Sequence, residues 1–284
     1  MVDTQTGSAV VVACCQLAPT LGDPAANREC VADAVTEAVV SGAQIIVLPE
    51  LMSSGYMFTD TAEAAGSAET VDGETLALWA RLAREHAIVI VGGFCELGSD
   101  AEVYNSAPLL DPDGLRGTYR KAHLWDAERF IFTPGGQAPP VFDTRFGAIA
   151  MMICYDLEFP EWVRLPALAG AQLLCAPVNW PAYPRPDGER PAEVVRVQAD
   201  AGANRMYIAA CDRTGPERGA EWVGGSVIVD ADGWPIAGGS ATTEAITTIA
   251  ECRLADALDK NIGQHSNVHT DRRPDLYDHF ARRG

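Results

Sequence analysis

Basic side chains are scarce. The chain sets 21 lysines and arginines against 39 aspartates and glutamates, a formal net charge of -18. Such a surface repels phosphate backbones and anionic headgroups, so neither nucleic acid nor a membrane surface is an expected partner. No basic patch offsets the deficit; the densest pairs are Arg272-Arg273 and Arg282-Arg283. Long apolar runs are also missing: Val10 to Cys15 is too short for a membrane span or the core of a leader peptide. The polar stretch 1–8 lacks a basic segment and reads as a flexible N-terminus with no secretory signal. None of the eight cysteines forms a Cys-x-x-Cys pair, and several sit inside apolar runs such as Leu173-Leu-Cys-Ala-Pro177. That usage predicts a reduced, cytoplasmic protein. No inter-domain linker or low-complexity segment interrupts the chain.

What is present is a core-forming composition, 48% hydrophobic over 284 residues, enough for a large layered α/β fold. Its centre is Phe146-Gly-Ala-Ile-Ala-Met-Met-Ile153, an uncharged run that reads as a strand buried on both faces. The run stops at Cys154. Pro160 then suits the first turn of a helix from Glu161 to about Ala169. A thiol at a strand end that faces a helix start lies near backbone N–H groups, which lower a thiol's pKa and bind an oxyanion.

Further strands are predicted over 9–16, 44–48, 88–96, 171–177, 207–211, 223–229 and 245–251, and helices over 23–40, 73–86 and 191–204. Asp111-Pro-Asp-Gly114 predicts a hairpin between 103–110 and 115–120. Residues 51–68, 121–136 and 179–189 read as loops. Strand–helix–strand–helix occurs twice, over 9–96 and 146–211, which suggests two sheets carrying helices on their outer faces. A domain over 9–252 and a polar, partly helical extension over 253–284 are expected.

Three polar residues stand where apolar strands run out or a loop begins: Glu50, Lys121 and Cys154. Loops at strand ends are where α/β proteins place reactive groups. A thiol nucleophile needs a base, and histidine is the usual one. His123 leaves a Cys–His dyad open; His265 and His269 have i,i+4 spacing but no third ligand in the zincin pattern. A buried carboxylate with a raised pKa is the other candidate, and Glu50 follows Ile45-Ile-Val-Leu-Pro49 directly. A lysine beside the thiol would hold it as thiolate and donate to a developing oxyanion.

Leu48-Pro-Glu50, Tyr119-Arg-Lys121-Ala-His-Leu124 and Ile153-Cys154-Tyr-Asp-Leu-Glu-Phe-Pro-Glu161 together resemble, in order, the signature segments of the nitrilase superfamily of carbon–nitrogen hydrolases. The resemblance runs over residues 9–252. Tyr104-Asn-Ser106, Phe132-Thr-Pro-Gly135, Asn204-Arg-Met-Tyr207 and Gly224-Gly-Ser226 add to it. It implies a four-layer αββα sandwich with two mixed β-sheets. It implies Glu50 as general base, Lys121 as the lysine, Cys154 as nucleophile, Glu128 as a second glutamate positioning substrate and Lys121, and the Tyr155 N–H in the oxyanion hole. No metal or cofactor is required, and a homodimer or higher homo-oligomer over the face carrying the nucleophile helix is expected.

Within the family, Cys-Tyr-Asp-Leu-Glu-Phe-Pro-Glu resembles the short-chain aliphatic amidase branch, acting on small-molecule amides. Nitrilase, N-carbamoyl acid hydrolase and ω-amidase activities are the alternatives, and a non-catalytic binding protein is the remote one. Tyr56, Phe58, Trp125, Asn179, Trp180 and Tyr183 are candidates to line the acyl side of the pocket.

Overall fold

The structure, a computed structural model, describes residues 9–281; the expected flexible start at 1–8 lies outside the described residues. The first half begins with β1 (Val10–Gln16), α1 (Pro24–Val40) and β2 (Ile45–Val47). A loop containing α2 (Thr61–Ala65) leads to α3 (Glu74–His86) and β3 (Val89–Val91). β1, β2 and β3 pair in parallel, as strand–helix–strand connections require. Asp23 opens α1 by accepting from the Ala26 N–H at 3.0 Å, with Pro24 in the first turn. β4 (Phe94–Leu97), β5 (Val103–Asp111) and β6 (Gly114–Arg120) extend the sheet with antiparallel pairings.

The second half starts with a hairpin of β7 (Val141–Thr144) and β8 (Gly147–Met151). α4 (Pro160–Leu168), β9 (Leu173–Pro177), α5 (Ala192–Asn204) and β10 (Tyr207–Cys211) follow. β8, β9 and β10 are parallel, repeating the first half's arrangement. β11 (Val227–Val229) and β12 (Pro235–Gly238) add antiparallel strands, and β13 (Ile246–Cys252) returns to pair antiparallel with β1. The sheets run β13-β1-β2-β3-β5-β4, with β6 on β5, and β12-β11-β10-β9-β8-β7. The hairpin of β14 (Asn261–Gly263) with β15 (Ser266–Asn267) and helix α6 (Pro274–Ala281) complete the described chain.

Alternation along the parallel strands makes the layers. Val12, Cys14, Ile45 and Val47 meet Met151, Leu173, Cys175 and Cys211 between the sheets. Ala13, Cys15 and Ile46 face outward onto Val31 and Val35 of α1 and Trp79 of α3. Ala150, Leu174 and Ala210 face outward onto Val163 of α4 and Val194 and Val197 of α5. The result is the αββα sandwich, with parallel strands buried on both faces.

Four local departures from the expected elements have physical causes. The strand expected over 88–96 breaks at Gly92-Gly93, and its two pieces, β3 and β4, lie in one register along the same edge of β5, Val91 opposite Leu109 and Phe94 opposite Ser106. A Cβ on Gly93 would lie 2.0 Å from the Leu51 nitrogen and 2.4 Å from the Glu50 Cα, so the chain passes there only as glycine. The expected loop over 51–68 contains α2, capped by Asp60 accepting from the Glu63 N–H at 2.9 Å. Of 223–229 only the last three residues form a strand, because the chain turns left-handed at Gly224 (φ 59°), where a Cβ would lie 1.8 Å from the Thr242 carbonyl oxygen. Past Cys252 the chain turns through a 3-10 segment, Leu254–Leu258, that buries Leu254 and Ala257 in the inter-sheet core, so the extension starts as part of that core.

Candidate active site

The polar site is assembled where strands of both sheets end. Glu50 follows β2 by three residues, Asn105 lies on β5, Lys121 follows β6 and Cys154 comes three residues after β8. Lys121 stands opposite Asn105 across the hairpin, its N–H donating to the Asn105 carbonyl at 2.8 Å. Both side chains converge on Glu50: the Asn105 amide donates to Oε1 at 2.7 Å and Lys121 Nζ at 2.6 Å. Lys121 Nζ also donates to Glu128 Oε1 at 2.8 Å. Glu128, in the 3-10 segment Asp126–Phe130, accepts from the Trp125 N–H at 2.8 Å with its other oxygen. The second half closes the array through Asn179, whose amide donates to the Glu50 carbonyl at 3.0 Å and whose own carbonyl lies 3.7 Å from Cys154 Sγ.

Glu50 and Lys121 are buried, so their charges are held by each other rather than by water. Burial raises the Glu50 carboxyl from 4.5 to about 7, against the lowering pull of Lys121; Glu128 raises it further. Burial favours neutral Lys121, but the Glu128 and Glu50 carboxylates outweigh it and hold the ammonium charged. The Cys154 thiol is pushed well above its usual range by burial and by Glu50, with Lys121 pulling the other way. The expected thiolate-stabilising effect of Lys121 is therefore present but outweighed. The resting group is a thiol that needs a base, and Glu50 titrates where a base at neutral pH should. Glu50 Oε2 and Asn179 Oδ1 are buried acceptors without a hydrogen-bond partner among the described residues.

Backbone strain marks the same places. Cys154 has φ 44° and Leu51, next to Glu50, has φ 48°. Left-handed conformations at residues other than glycine cost of order 1–3 kcal/mol and concentrate at functional sites. Cys154 also opens a 3-10 turn, Cys154–Glu158, so the Tyr155 N–H lies among leading amides that lack an intrahelical acceptor. Asp156 ties that turn down: it accepts from Tyr119 Oη at 2.8 Å, the His123 N–H at 3.0 Å and the Ile153 N–H at 3.2 Å.

A pocket of about 90 Å³ opens at Cys154, and Tyr56, Trp125, Tyr155, Asn179, Trp180 and Tyr183 are among its walls. That is small beside the pockets of drug-sized ligands. Phe58 is not among them; it packs edge-on against Phe132, 6.3 Å between centroids. The Cys–His dyad does not form: His123 Nδ1 is 2.7 Å from Asp156 and the ring stacks on Phe159. His265 sits in the turn between β14 and β15 and His269 lies just past β15, neither on a helix face, and among the described residues no three metal-ligating side chains cluster.

Two carboxylates unanticipated from the sequence hold the pocket's loops. Asp212, directly after β10, accepts from the Trp180 N–H at 3.0 Å, Arg213 N–H at 2.9 Å and Gly225 N–H at 3.0 Å. Glu217 accepts from the Tyr56 N–H at 2.8 Å and the Met57 N–H at 2.6 Å while paired with buried Arg213 at 2.8 Å. Asp212 carried the same signal as Glu50, a carboxylate at the end of a buried strand. Asn105 was visible in Tyr104-Asn-Ser106, but nothing local told its role. Glu158 and Glu193, also in the pocket wall, had no distinguishing signal.

With this geometry in view, the comparisons with known proteins converge. The pattern of the family described as carbon-nitrogen hydrolase matches residues 11–258. A nitrilase of Pyrococcus abyssi is 35% identical over 94% of this chain and 99% of its own. An N-carbamoylputrescine amidase of Solanum tuberosum is 34% identical over 94% of this chain and 93% of its own. The crystal structure of an amidase from Nesterenkonia sp. superposes with a TM-score of 0.79 at 28% identity, covering 96% of this chain and 97% of that one. A mutant of that amidase has been solved with butyramide. The chain belongs to the carbon–nitrogen hydrolases of the nitrilase superfamily.

Proposed function

We propose that the protein is a thiol-dependent amidase converting small aliphatic or ω-substituted amides to the carboxylic acid and ammonia. The observation that carries this reading is the buried Glu50–Lys121–Glu128 array beside the pocket that holds Cys154. Glu50 takes the Cys154 proton as the sulfur attacks the amide carbonyl, forming the C–S bond. Lys121 and the Tyr155 N–H receive the oxyanion. As the intermediate collapses, the C–N bond breaks, and Glu50 returns the proton so that ammonia leaves and a thioester remains. Glu50 then deprotonates a water that attacks the thioester, and the proton goes back to the Cys154 sulfur as the acid departs. Glu128 keeps Lys121 aimed and charged. The small pocket and the butyramide complex of the Nesterenkonia amidase support short acyl groups.

A second reading, hydrolysis of an N-carbamoyl amine by the same residues, is favoured by the Solanum tuberosum relative. Ammonia release from amides, nitriles and N-carbamoyl compounds, with Cys154→Ala in parallel, separates these. Amide turnover lost in Cys154→Ala is expected; activity surviving in that variant would remove the mechanism. We also propose a homodimer over the face of α4 and α5, where Leu165, Leu168 and Val195 are exposed. Light scattering should read twice the chain mass. Eight free cysteines, most of them buried, support a reducing, cytoplasmic setting.

A further inference from the structure

The segment 182–190, between β9 and α5, is stiff but poorly tied. Pro184 and Pro186 within it, and Pro181 and Pro191 at its borders, fix φ and remove backbone donors. Every residue from Ala182 to Arg190 is exposed. The two ends are anchored. The Ala182 N–H donates to the Glu221 carbonyl at 2.9 Å, close to Trp180, whose own N–H is held by Asp212 at 3.0 Å. Pro191 is buried, and its carbonyl accepts from the Val195 N–H at 3.2 Å as α5 begins. Between these anchors no hydrogen bond or ion pair joins 183–189 to other parts of the chain among the described residues. The one tie is Arg190, whose Nη1 donates to Gln198 Oε1 on α5 at 2.8 Å. Gly188, at φ 81°, is where a stiff strap of this kind can bend.

The segment stands between two spaces. On one side is the pocket of about 90 Å³ at Cys154, with Tyr183 in its wall. On the other, a recess of about 700 Å³ lies between the segment and Gly239-Ser240-Ala241, and Tyr183 lines that as well. Tyr183 is 60% exposed, so little packing holds its ring in place. With 182–190 where it stands, the pocket at Cys154 has room for a short acyl chain only. Displacement into the recess takes Tyr183 out of the wall and lengthens the pocket. Asn179 and Trp180 lie on the anchored side and stay where they are, their amides bonded to the Glu50 carbonyl and to Asp212. A stiff segment with one latch, one bending point and empty space behind it has the parts of a lid.

We propose that 182–190 is a lid, with Tyr183 as its inner face and the Arg190–Gln198 contact as its latch, and that its swing into the recess decides how long an acyl chain reaches Cys154. The proposal rests on the amidase reading and adds the device that sets its acyl length. A long chain binds only with the lid out, so its kcat/KM scales with the open fraction; a short chain does not need that state. The test compares hexanamide with butanamide on the full-length protein, on Arg190→Ala, on Gln198→Ala and on the double variant. Each single substitution should raise the hexanamide-to-butanamide ratio of kcat/KM about fivefold, the scale of one exposed hydrogen bond. The double variant should go no further, because both changes remove the same latch. A second readout needs no turnover: cleavage after Glu189 by a glutamate-specific protease should speed up about fivefold in Gln198→Ala. A ratio that stays put in both single variants, or gains that add in the double variant, overturns the lid and leaves the amidase reading standing. Turnover of neither amide by the unaltered protein overturns the amidase reading and with it the acyl-length role. Cleavage after Glu189 that ignores Gln198→Ala overturns the lid itself.

Discussion

Replacing Glu128 by glutamine should make the enzyme work at lower pH. Burial raises the Glu50 carboxyl from 4.5 to about 7, and the Glu128 charge is part of the reason it stays there. The two carboxylates share Lys121 Nζ, at 2.6 and 2.8 Å. Their oxygens are thus no more than about 5.4 Å apart, where like charges at an effective dielectric of about 20 repel by about 3 kcal/mol, or about two pH units. Glutamine keeps the shape and an acceptor for Lys121 but removes the charge. Ionised Glu50 becomes easier to form, so its pKa falls and the base is competent at lower pH. In the wild type kcat/KM should rise with pH through about 7; in Glu128→Gln the same limb should lie near about 5, since kcat/KM reports groups of the free enzyme. The limb belongs to the Glu50–Lys121–Glu128 cluster as a coupled whole. The assay is ammonia release from a good amide between about pH 4 and about pH 9, under conditions that give kcat/KM. A limb that stays at neutral pH or moves upward would refute the electrostatic reading of Glu50.

Other substitutions test the scaffold of the site. Glu217→Gln leaves Arg213 buried without its counter-charge and loosens the Tyr56 loop, so stability should fall by about 3 kcal/mol with a rise in KM; urea unfolding and amide kinetics check both. Gly93→Ala drives a Cβ into the backbone of Glu50 and Leu51, and should lower kcat/KM by about a hundredfold. The same change should cost about 1–3 kcal/mol of stability, so near-normal activity and melting would contradict the close approach. Because burial and Glu50 push the Cys154 thiol up, its alkylation by iodoacetamide in the absence of substrate should still be climbing with pH above neutrality; a rate already level below pH 7 would mean a resting thiolate.

The order of layers was legible because hydrophobic pattern is local. Runs such as Ile45-Ile-Val-Leu48 and Leu173-Leu-Cys-Ala176 announce strands buried on both faces, and Asp23-Pro24 announces the start of α1. The strand break at Gly92-Gly93 was not legible, since its cause is the backbone of Glu50, over forty positions away in sequence. The same limit explains the site. Glu50, Lys121 and Cys154 each stood at a strand end, where a reactive group can be suspected from its neighbours. Asp212 and Glu217 act through loops that follow other strands, and only the fold brings the Trp180 and Tyr56 amides to them. The electrostatics were the least legible of all. That Lys121 would fail to keep Cys154 ionised depends on how deep the thiol lies and on which carboxylate shares its space, and neither is a property of sequence spacing. In the proposed mechanism Cys154 and Glu50 therefore act as one unit: a buried thiol is inert until a base with a raised pKa stands beside it, and the Glu50 carboxyl is poised near neutrality because Lys121 limits what burial and Glu128 would otherwise do to it.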